Sequence, residues 1–380
     1  MKKIILIVIL FVIPSLSEAD MAVSNFLEIL NNAPIEEKYS LLESFMDRQE
    51  LFPIIEDSTN VYFLIRQKAK SVNIAGDFNA WQLDTFCTNV PYTDLWYYTA
   101  RYEPDARIDY KFIIDGTNWI LDPLNNNTSS GGFGDNSELR MHALKPVPEI
   151  EYYEDIKHGS IRDTLLYCDY LGRDRKIVIY CPYDYSQIDE LPFVVFHDGQ
   201  DYLDFAQTKN ILDYLIYHKE IKAVVAVFVS PVKRTEEYAG KLKKNYSTFI
   251  TETVIPFLYD HYNVSRQAED HALIGTSNGG NISLWLGFHY PELFRMIGAQ
   301  SSYVEESIQT TFASSDTLPL DIYIDMGKYD IPKLKQLAET FIPILSEKGY
   351  MFTFKEFNGG HSWGSWKTNL KDILIRFFGT

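Results

Sequence analysis

The sequence predicts an α/β protein in which a doubly wound, mostly parallel sheet follows a small β-sandwich. Beyond residue 155, continuous apolar runs such as FVVFHDG, AVVAVFVSP and LDIYIDMG alternate with stretches of helical period. Strands that are apolar throughout and alternate with helices are typical of a parallel sheet covered on both faces. Between residues 60 and 141, short alternating runs are instead separated by Gly, Asn, Asp and Pro, which is typical of a sandwich.

The composition limits the classes of protein to consider. With 380 residues the chain is long enough for two domains, and 46% hydrophobic residues without low-complexity tracts indicate a globular protein. There are 35 basic and 52 acidic residues, giving a net charge of −17. No basic cluster offsets this charge, so a nucleic-acid partner is not expected.

The first nineteen residues have the layout of a secretory signal peptide. Two lysines precede an apolar run from Ile4 to Ile13, and the small-residue site Ser17-Glu18-Ala19 follows. The apolar run is shorter than a membrane-spanning helix requires. We therefore expect the mature chain to begin near Asp20, to be periplasmic or extracellular, and to have no membrane segment after cleavage.

The cysteines predict neither a disulfide framework nor a metal site. Cys87, Cys168 and Cys181 are odd in number and lack the spacing of metal ligands. Pairing of Cys168 with Cys181 is left open, because sequence alone cannot establish disulfide geometry. No metal or cofactor is expected.

Changes of pattern divide the chain behind the signal peptide into four parts. We expect a helical arm over residues 20–57 and the sandwich over residues 58–143. The stretch LKPVPEIEYYE, residues 144–154, is expected to be a linker, and residues 155–380 the parallel-sheet domain. In the last part, a hairpin near 164–169 and 176–182 supplies an antiparallel edge. Helices are expected near 203–218, 246–261, 280–290, 332–347 and 366–378.

A lone serine between glycines marks the candidate nucleophile. The stretch GTSNGG, residues 275–280, fits G-x-S-x-G and lies between the apolar run HALI and a helical run. In a tight strand-to-helix turn of this kind, side chains at the glycine positions would clash, and the serine hydroxyl projects into the site. Ser277 is therefore the predicted nucleophile, although a glycine-rich connection would show the same letters.

A serine nucleophile needs a base and a group that orients the base. Two histidines follow Ser277: His289 lies within the helix after the turn, whereas His361 follows the strand MFTFKEF in the loop NGGHSW. Catalytic groups gather at the carboxyl ends of parallel strands. This position selects His361 as the base.

The predicted acid is Asp330, which lies just past the run LDIYIDMG. Asp325 lies within that run and would point into the packing layers of the sheet. Glu305, after the preceding strand, is the alternative acid. A loop aspartate such as Asp330 can also serve only as a helix cap.

An oxyanion hole requires two backbone N–H groups directed at the developing negative charge. Asn278, directly after the nucleophile, is expected to supply one of them. Gly199 or Gln200, in the loop after FVVF, is expected to supply the other. His197 in that loop is expected to have a structural role.

These residues carry a family resemblance over residues 155–380. The motifs HDGQDY, SPVKRTEEY, GTSNGG, GKYD and GGHSWGSW resemble those of the esterase D and enterochelin-esterase group of α/β-hydrolases. The resemblance implies a serine esterase with the triad Ser277, Asp330 and His361. Arg234, Glu237 and Trp363, which lie in these motifs, are candidates for substrate or cleft contacts. The group acts on esters of several kinds, so the resemblance leaves the substrate open.

The front region also resembles a known family. GDFNAW and DYKFIIDGTNWILDP are similar to motifs of the isoamylase-type early-set domain, an immunoglobulin-like sandwich, and of the glycogen-binding module of the AMP-activated kinase β subunit. The resemblance places Trp81, Lys111 and Trp119 at sugar-contacting positions, which would make a polysaccharide a further partner. The alternative is a domain that shapes the active-site cleft, with the tryptophans in its packing.

The sequence thus predicts an exported serine esterase that acts on a siderophore lactone or a carbohydrate-linked acyl ester. An acyltransferase would use the same triad and exclude water in favour of an alcohol acceptor. A glycan-binding protein with an inactive hydrolase domain is the third alternative, and the complete set of triad residues argues against it.

Overall fold

A computed structural model describes residues 21–380, so the predicted signal peptide lies outside the described residues. The described part begins with two short helices, α1 (Val23–Asn32) and α2 (Ile35–Met46), on either side of Pro34. Apolar side chains of the two helices, including Phe26 and Phe45, pack against Leu64 and Leu95 of the sheet behind them. The arm is therefore part of the front region and not a free extension.

The front region contains two antiparallel sheets that share one apolar core. One sheet has the strand order β1-β2-β5-β4; the other has the order β3-β6-β9-β8, with β7 beside β6. The strands are β1 (Ile54–Glu56), β2 (Asn60–Arg66), β3 (Val72–Gly76), β4 (Thr88–Asn89), β5 (Leu95–Arg101), β6 (Arg107–Ile114), β7 (Asn118–Ile120), β8 (Thr128–Ser129) and β9 (Asn136–Arg140). Strand β1 lies in the stretch that the sequence pattern assigned to the arm, since three residues are too few to show a period. Membership of the early-set family stays a prediction.

The second region is built on one eight-stranded sheet. Its order is β10-β11-β13-β12-β14-β15-β16-β17. The strands are β10 (Ser160–Cys168), β11 (Arg173–Cys181), β12 (Phe193–His197), β13 (Val225–Val229), β14 (His271–Thr276), β15 (Met296–Gln300), β16 (Asp321–Tyr329) and β17 (Met351–Gly360). Strands β12 to β17 pair in parallel, and β10 and β11 form an antiparallel edge. The predicted α/β class with a mostly parallel sheet is confirmed.

Helices cover both faces of this sheet. They are α3 (Gly199–Asp204), α4 (Thr208–Tyr217), α5 (Arg234–Tyr238), α6 (Lys243–Thr248), α7 (Ile255–His261), α8 (Asn278–His289), α9 (Glu306–Ser314), α10 (Pro332–Lys348) and α11 (Trp363–Phe378). Helices α6 and α7 are joined by a π-helical turn at Phe249–Val254. The helix expected at 203–218 is interrupted before α4, where Gln207 has a φ of 55°. Helices α5 and α9 were not predicted from the sequence, because neither shows a long apolar period.

The hairpin β10-β11 keeps Cys168 and Cys181 too far apart to form a disulfide bond. Cys168 is opposite Arg173 at one end of this hairpin, and Cys181 is opposite Ser160 at the other end. A nine-residue strand separates the two thiols by far more than a disulfide allows. All three cysteines are free.

Two features are absent from residues 21–380, the part of the chain that the structure describes. Within that range, no helix is both long and apolar enough to cross a membrane. The same residues contain no group of three or more His, Cys, Asp or Glu side chains placed to hold a metal ion.

Candidate active site

Ser277 occupies a strained turn between β14 and α8. Its φ of 54° and ψ of −118° are unusual for a residue with a side chain. Two backbone hydrogen bonds fix this turn: Ser277 N donates to Gln300 O at 2.8 Å, and Tyr303 N donates to Ser277 O at 3.1 Å. Such a turn exposes the serine hydroxyl at the carboxyl edge of the sheet.

The flanking glycines are required by close packing within the turn. A Cβ added to Gly275 would overlap the backbone of Gly279, so the chain could not fold back as tightly with any other residue there. A Cβ on Gly279 would press against the carboxylate of Asp198, at 3.1 Å. These contacts provide the physical reason for the two glycines of the sequence motif.

Asp330 and His361 form a hydrogen-bonded pair. His361 Nδ1 lies 2.8 Å from Asp330 Oδ1, and that oxygen also accepts the backbone N–H of Ile331 at 2.7 Å. Asp330 is 4% exposed, so its carboxylate is shielded from water. The two residues follow β16 and β17, which pair in parallel and bring both loops to one edge. A carboxylate at Nδ1 holds the imidazole so that Nε2 is available to take a proton.

The other acids and histidines considered from the sequence have different partners. Glu305 accepts hydrogen bonds from Lys243 Nζ at 2.5 Å and Asn281 Nδ2 at 2.9 Å. Asp325 is fully buried and bonds to Gln300 and Ser301, and burial raises the pKa of its carboxyl to about 7. Neither carboxylate is hydrogen-bonded to His361.

His289 and His197 are engaged within the packing of the domain. The ring of His289 stacks on Trp285, and its Nδ1 lies 2.8 Å from Trp285 O. His197 is fully buried with Nδ1 2.8 Å from Tyr246 Oη, and burial lowers its pKa to about 3. A neutral, buried imidazole suits the structural role that was expected of His197.

The candidate oxyanion donors lie at two helix starts. Asn278 is the first residue of α8 and Gly199 the first of α3, positions at which a backbone N–H has no acceptor within its helix. Gln200 N donates to Ser230 Oγ at 2.9 Å, a contact that an oxyanion would have to replace. A Cβ on Gly199 would overlap the backbone of β13, which explains the glycine. The choice between Gly199 and Gln200 stays a prediction.

A cavity of about 520 Å³ joins Ser277 and His361. This is within the usual size range of small-molecule sites. Both regions of the chain line it: Asp109, Ser130, Gly131, Gly132, Phe133, Gly134 and Asn136 from the front, and Asp201, Arg234, Thr276, Ser277, Ile331, His361, Ser362, Trp363 and Trp366 from the second region. The front sheets therefore form one wall of the cavity, as the cleft-shaping alternative requires.

Of the three predicted cleft residues, the structure places Arg234 and Trp363 in the cavity wall. Arg234 makes two hydrogen bonds to the buried carboxylate of Asp198, at 2.8 and 2.7 Å. Glu237 does not line the cavity, contrary to the prediction. It is fully buried and pairs with Arg175 at 2.8 Å, which fixes the short helix α5 that begins at Arg234.

Several cavity residues were not identified from the sequence. Trp366 meets the ring of His361 edge to face at 4.9 Å, and the repeated tryptophan in GGHSWGSW was the available signal. Phe133, fully exposed at the tip of a glycine-rich turn, had the unusual pattern GGFG as its signal. Asp201 belongs to HDGQDY, and burial, together with Asp198, raises its pKa.

The predicted sugar-contacting residues lie away from this cavity. The rings of Trp81 and Trp119 are 6.5 Å apart and inclined by 26°, and the side chain of Trp119 is 41% exposed. Trp81 and Lys111 are half-buried. Ile113 is directly opposite Trp119 on the neighbouring strand, and Lys111 is two residues before Ile113. The side chains of Lys111 and Trp119 therefore project from the same face of the sheet. Neither ring belongs to the apolar core of the front region. Trp81 Nε1 donates to Asp77 Oδ1 at 3.3 Å, and the Asp77 carboxyl group packs against Gly360 of the second region.

A serine in a strained strand-to-helix turn and a buried Asp–His pair, both at one edge of a mostly parallel sheet, are features expected of an ester-cleaving enzyme. The model of the family described as "Putative esterase" matches residues 168–377, more than half of the chain. The chain belongs to this esterase family, and hydrolysis of carboxylic esters is the activity that membership supports.

Two of the curated relatives that match illustrate the low sequence identity. YjcH of Bacillus subtilis strain 168, named as an uncharacterized protein, is 25% identical over 234 residues, covering 57% of this chain and 97% of YjcH. The iron(III) enterobactin esterase of Escherichia coli K12 is 21% identical over 274 residues, covering 67% of this chain and 66% of that protein.

Solved structures show the same fold. The enterobactin esterase of Shigella flexneri matches with a TM-score of 0.72 at 19% identity, covering 88% of this chain and 97% of that one. The ferulic acid esterase of Anaeromyces mucronatus matches with a TM-score of 0.54 at 19% identity, covering 62% and 96%. The first match covers 88% of the chain and so spans the front region as well as the second region, residues 155–380, which is called the hydrolase region from here on.

Proposed function

We propose that this chain is an exported serine esterase with Ser277 as nucleophile, His361 as base and Asp330 as orienting acid. One observation carries the proposal: an imidazole held by a buried carboxylate faces the same cavity as a serine in a strained strand-to-helix turn. Perturbed backbone and paired ionisable groups that converge on one cavity are typical of catalytic sites.

The reaction follows from these positions. His361 Nε2 accepts the Ser277 hydroxyl proton as Oγ bonds to the ester carbonyl carbon, and the carbonyl oxygen becomes an oxyanion near Asn278 N. When the tetrahedral intermediate collapses, the ester C–O bond breaks and His361 gives its proton to the leaving alcohol. Water then attacks the acyl-enzyme through the same steps and releases the acid and Ser277.

The cavity wall favours an ester with both polar and ring-bearing parts. Trp363 and Phe133 offer apolar surface, whereas Arg234 and Asp201 offer charges of both signs. A siderophore lactone or a carbohydrate-linked acyl ester combines these features. Proteins of this fold include one named for enterobactin and one named for ferulic acid, which supports the same two classes.

A substrate panel with the mature protein tests the proposal. The panel contains p-nitrophenyl acyl esters, feruloyl esters and siderophore lactones, and each is measured for the parent chain and for Ser277→Ala. We expect turnover of at least one class, and a loss of about 10⁴ to 10⁶ in Ser277→Ala at unchanged melting temperature. A folded Ser277→Ala protein that keeps substantial turnover would refute the proposed nucleophile.

The same panel distinguishes hydrolysis from acyl transfer. Repeating it with an added alcohol or sugar acceptor measures how the acyl group divides between water and the acceptor. The proposal predicts free acid as the main product. A transferred ester as the main product would instead make the chain an acyltransferase.

The tryptophan pair favours a second function, glycan contact by the front region. Trp81 and Trp119 present adjacent rings outside the core, and an indole face can stack on the C–H face of a sugar. Trp119→Ala should weaken binding to an insoluble α-glucan such as starch while barely changing the melting temperature, and Lys111→Ala should act in the same direction. Unchanged retention of both variants would exclude this function.

Export is proposed on the sequence of residues 1–19 alone. Expression of the full chain in a bacterial host should release a protein whose amino terminus begins near Asp20. Recovery of the uncleaved chain from the cytosol would contradict this part of the proposal.

A further inference from the structure

The loop that carries His361 is held from outside the hydrolase region. Gly360, directly before His361, has no room for a Cβ because the carboxyl group of Asp77 occupies that space. Gly364, in the first turn of α11, has no room either, because the guanidinium of Arg107 lies against it. Asp77 and Arg107 both belong to the front region. The loop is therefore contacted on both sides of His361 by residues more than 250 positions earlier in the chain.

Arg107 makes the directional contact. Its Nη1 donates to Ser362 Oγ at 3.0 Å, and Ser362 is the residue next to His361. Ser362 is also the residue before α11, where a serine hydroxyl commonly caps the helix, yet here its side chain makes no capping bond. The hydroxyl instead accepts a hydrogen bond from the front region.

Arg107 is itself fixed in position. It is 3% exposed, Nη2 donates to Asp109 Oδ1 at 2.8 Å, and Nε pairs with Glu138. The carboxylates of Asp109 and Glu138 restrain the planar guanidinium of Arg107, so the direction of its Nη1–H bond toward Ser362 is fixed. Asp109 in turn lines the cavity beside Ser277. A rigid polar chain thus runs from the cavity wall through Arg107 to the residue beside His361.

We propose that Arg107 is a positioning residue for the base, and that the front region is needed for turnover because it holds the His361 loop. The inference rests on the proposed role of His361. Displacing a catalytic group by about 1 Å can lower a rate roughly a hundredfold. Loss of the contact between Arg107 and Ser362, the residue next to His361, can therefore lower kcat. A contact that merely joined the two regions would affect stability and leave kcat unchanged.

The test compares Ser362→Ala and Arg107→Lys in the full chain with the parent. Both are expected to lower kcat on p-nitrophenyl acetate about 10- to 100-fold. Arg107→Lys should also leave KM within about twofold, because Arg107 does not line the cavity, whereas Ser362 does. Both substitutions should also slow phosphonylation of Ser277 by a p-nitrophenyl phosphonate to a similar extent. Phosphonylation reports activation of Ser277 by His361 without the deacylation step.

The matched control is Asp105→Ala. Asp105 Oδ1 accepts a hydrogen bond from Asn358 Nδ2 at 2.7 Å, a second contact between the two regions that does not adjoin His361. Its kcat should stay within about twofold of the parent value. If Ser362→Ala and Arg107→Lys keep parental kcat and phosphonylation rates, or if Asp105→Ala loses as much as they do, the inference is overturned. That outcome is separate from failure of the proposed function, which Ser277→Ala alone decides.

Discussion

The Asp330–His361 pair allows a graded prediction for the substitution Asp330→Asn. An asparagine could present either its oxygen or its NH₂ group to the imidazole. Asp330 Oδ1 accepts two donors, Ile331 N–H at 2.7 Å and His361 Nδ1 at 2.8 Å, so an NH₂ group there would face two donors. The amide oxygen should therefore take that position and keep the imidazole in its working tautomer.

What Asp330→Asn removes is then the negative charge. Two unit charges about 4 Å apart interact by roughly 4 kcal/mol at an effective dielectric of 20, which corresponds to about a thousandfold in rate. Without the Ile331 contact, the expected loss would be about 10⁴, because the imidazole would settle in the wrong tautomer. The structure thus predicts a loss near 10³ for Asp330→Asn and a larger one for Asp330→Ala.

The assay is kcat for the best p-nitrophenyl ester, with melting temperature as the check on folding and Glu305→Gln as the matched control. Glu305 is engaged by Lys243 and Asn281, so its substitution should change kcat much less than Asp330→Asn does. A Glu305→Gln variant more damaged than Asp330→Asn would show that the acid is wrongly assigned. Loss of less than about tenfold in Asp330→Asn would refute the charge reasoning.

Three further outcomes follow from the described contacts. Phe133→Ala should raise KM about tenfold for bulky apolar esters and leave KM for acetate esters unchanged, because half-covering a phenyl ring is worth about 1 to 1.5 kcal/mol. Phe86 is also exposed but lies outside the cavity, so Phe86→Ala is the control. Equal effects of the two substitutions on KM would refute a substrate contact by Phe133. Burial raises the pKa of Asp325 to about 7, so the stability that its proton contributes is present below pH about 4 and lost as pH rises through about 7. In chemical denaturation, the free energy of unfolding should therefore fall between pH about 4 and about 7, and this fall should be smaller in Asp325→Asn by up to about 4 kcal/mol. An equal fall in the parent and in Asp325→Asn would contradict the raised pKa of Asp325. Glu237→Gln should cost about 3 to 5 kcal/mol of unfolding free energy by leaving Arg175 buried without its counter-charge, and a loss below 1 kcal/mol would exclude that pairing energy.

The parts of the site that sequence could predict are those governed by local pattern. Ser277 is recognisable because the turn needs Gly275 and Gly279 within two positions of it, and apolar runs mark the strand before it. Asp330 and His361 follow adjacent parallel strands, and parallel strands end at the same edge of a sheet. The fold class depends on the same repeating alternation of strands and helices.

The parts that sequence missed depend on contacts between distant segments. Nothing local in SPVKRTEEY separates Arg234, which reaches the cavity, from Glu237, which turns inward to Arg175. The contact between Arg107 and Ser362 joins residues 255 positions apart, and no period or motif encodes it. Such pairs are set by the docking of the front sheets on the hydrolase region, which is a tertiary property.

Covalent capture by a phosphonate measures directly whether Ser277 is an activated nucleophile. The mature protein is incubated with a p-nitrophenyl phosphonate at neutral pH, and the modified residue is located by peptide mass spectrometry. We expect one phosphonyl group per chain, on Ser277, with a rate that falls by orders of magnitude in His361→Ala. Labelling at another residue, or labelling of Ser277 at the same rate without His361, would contradict this expectation.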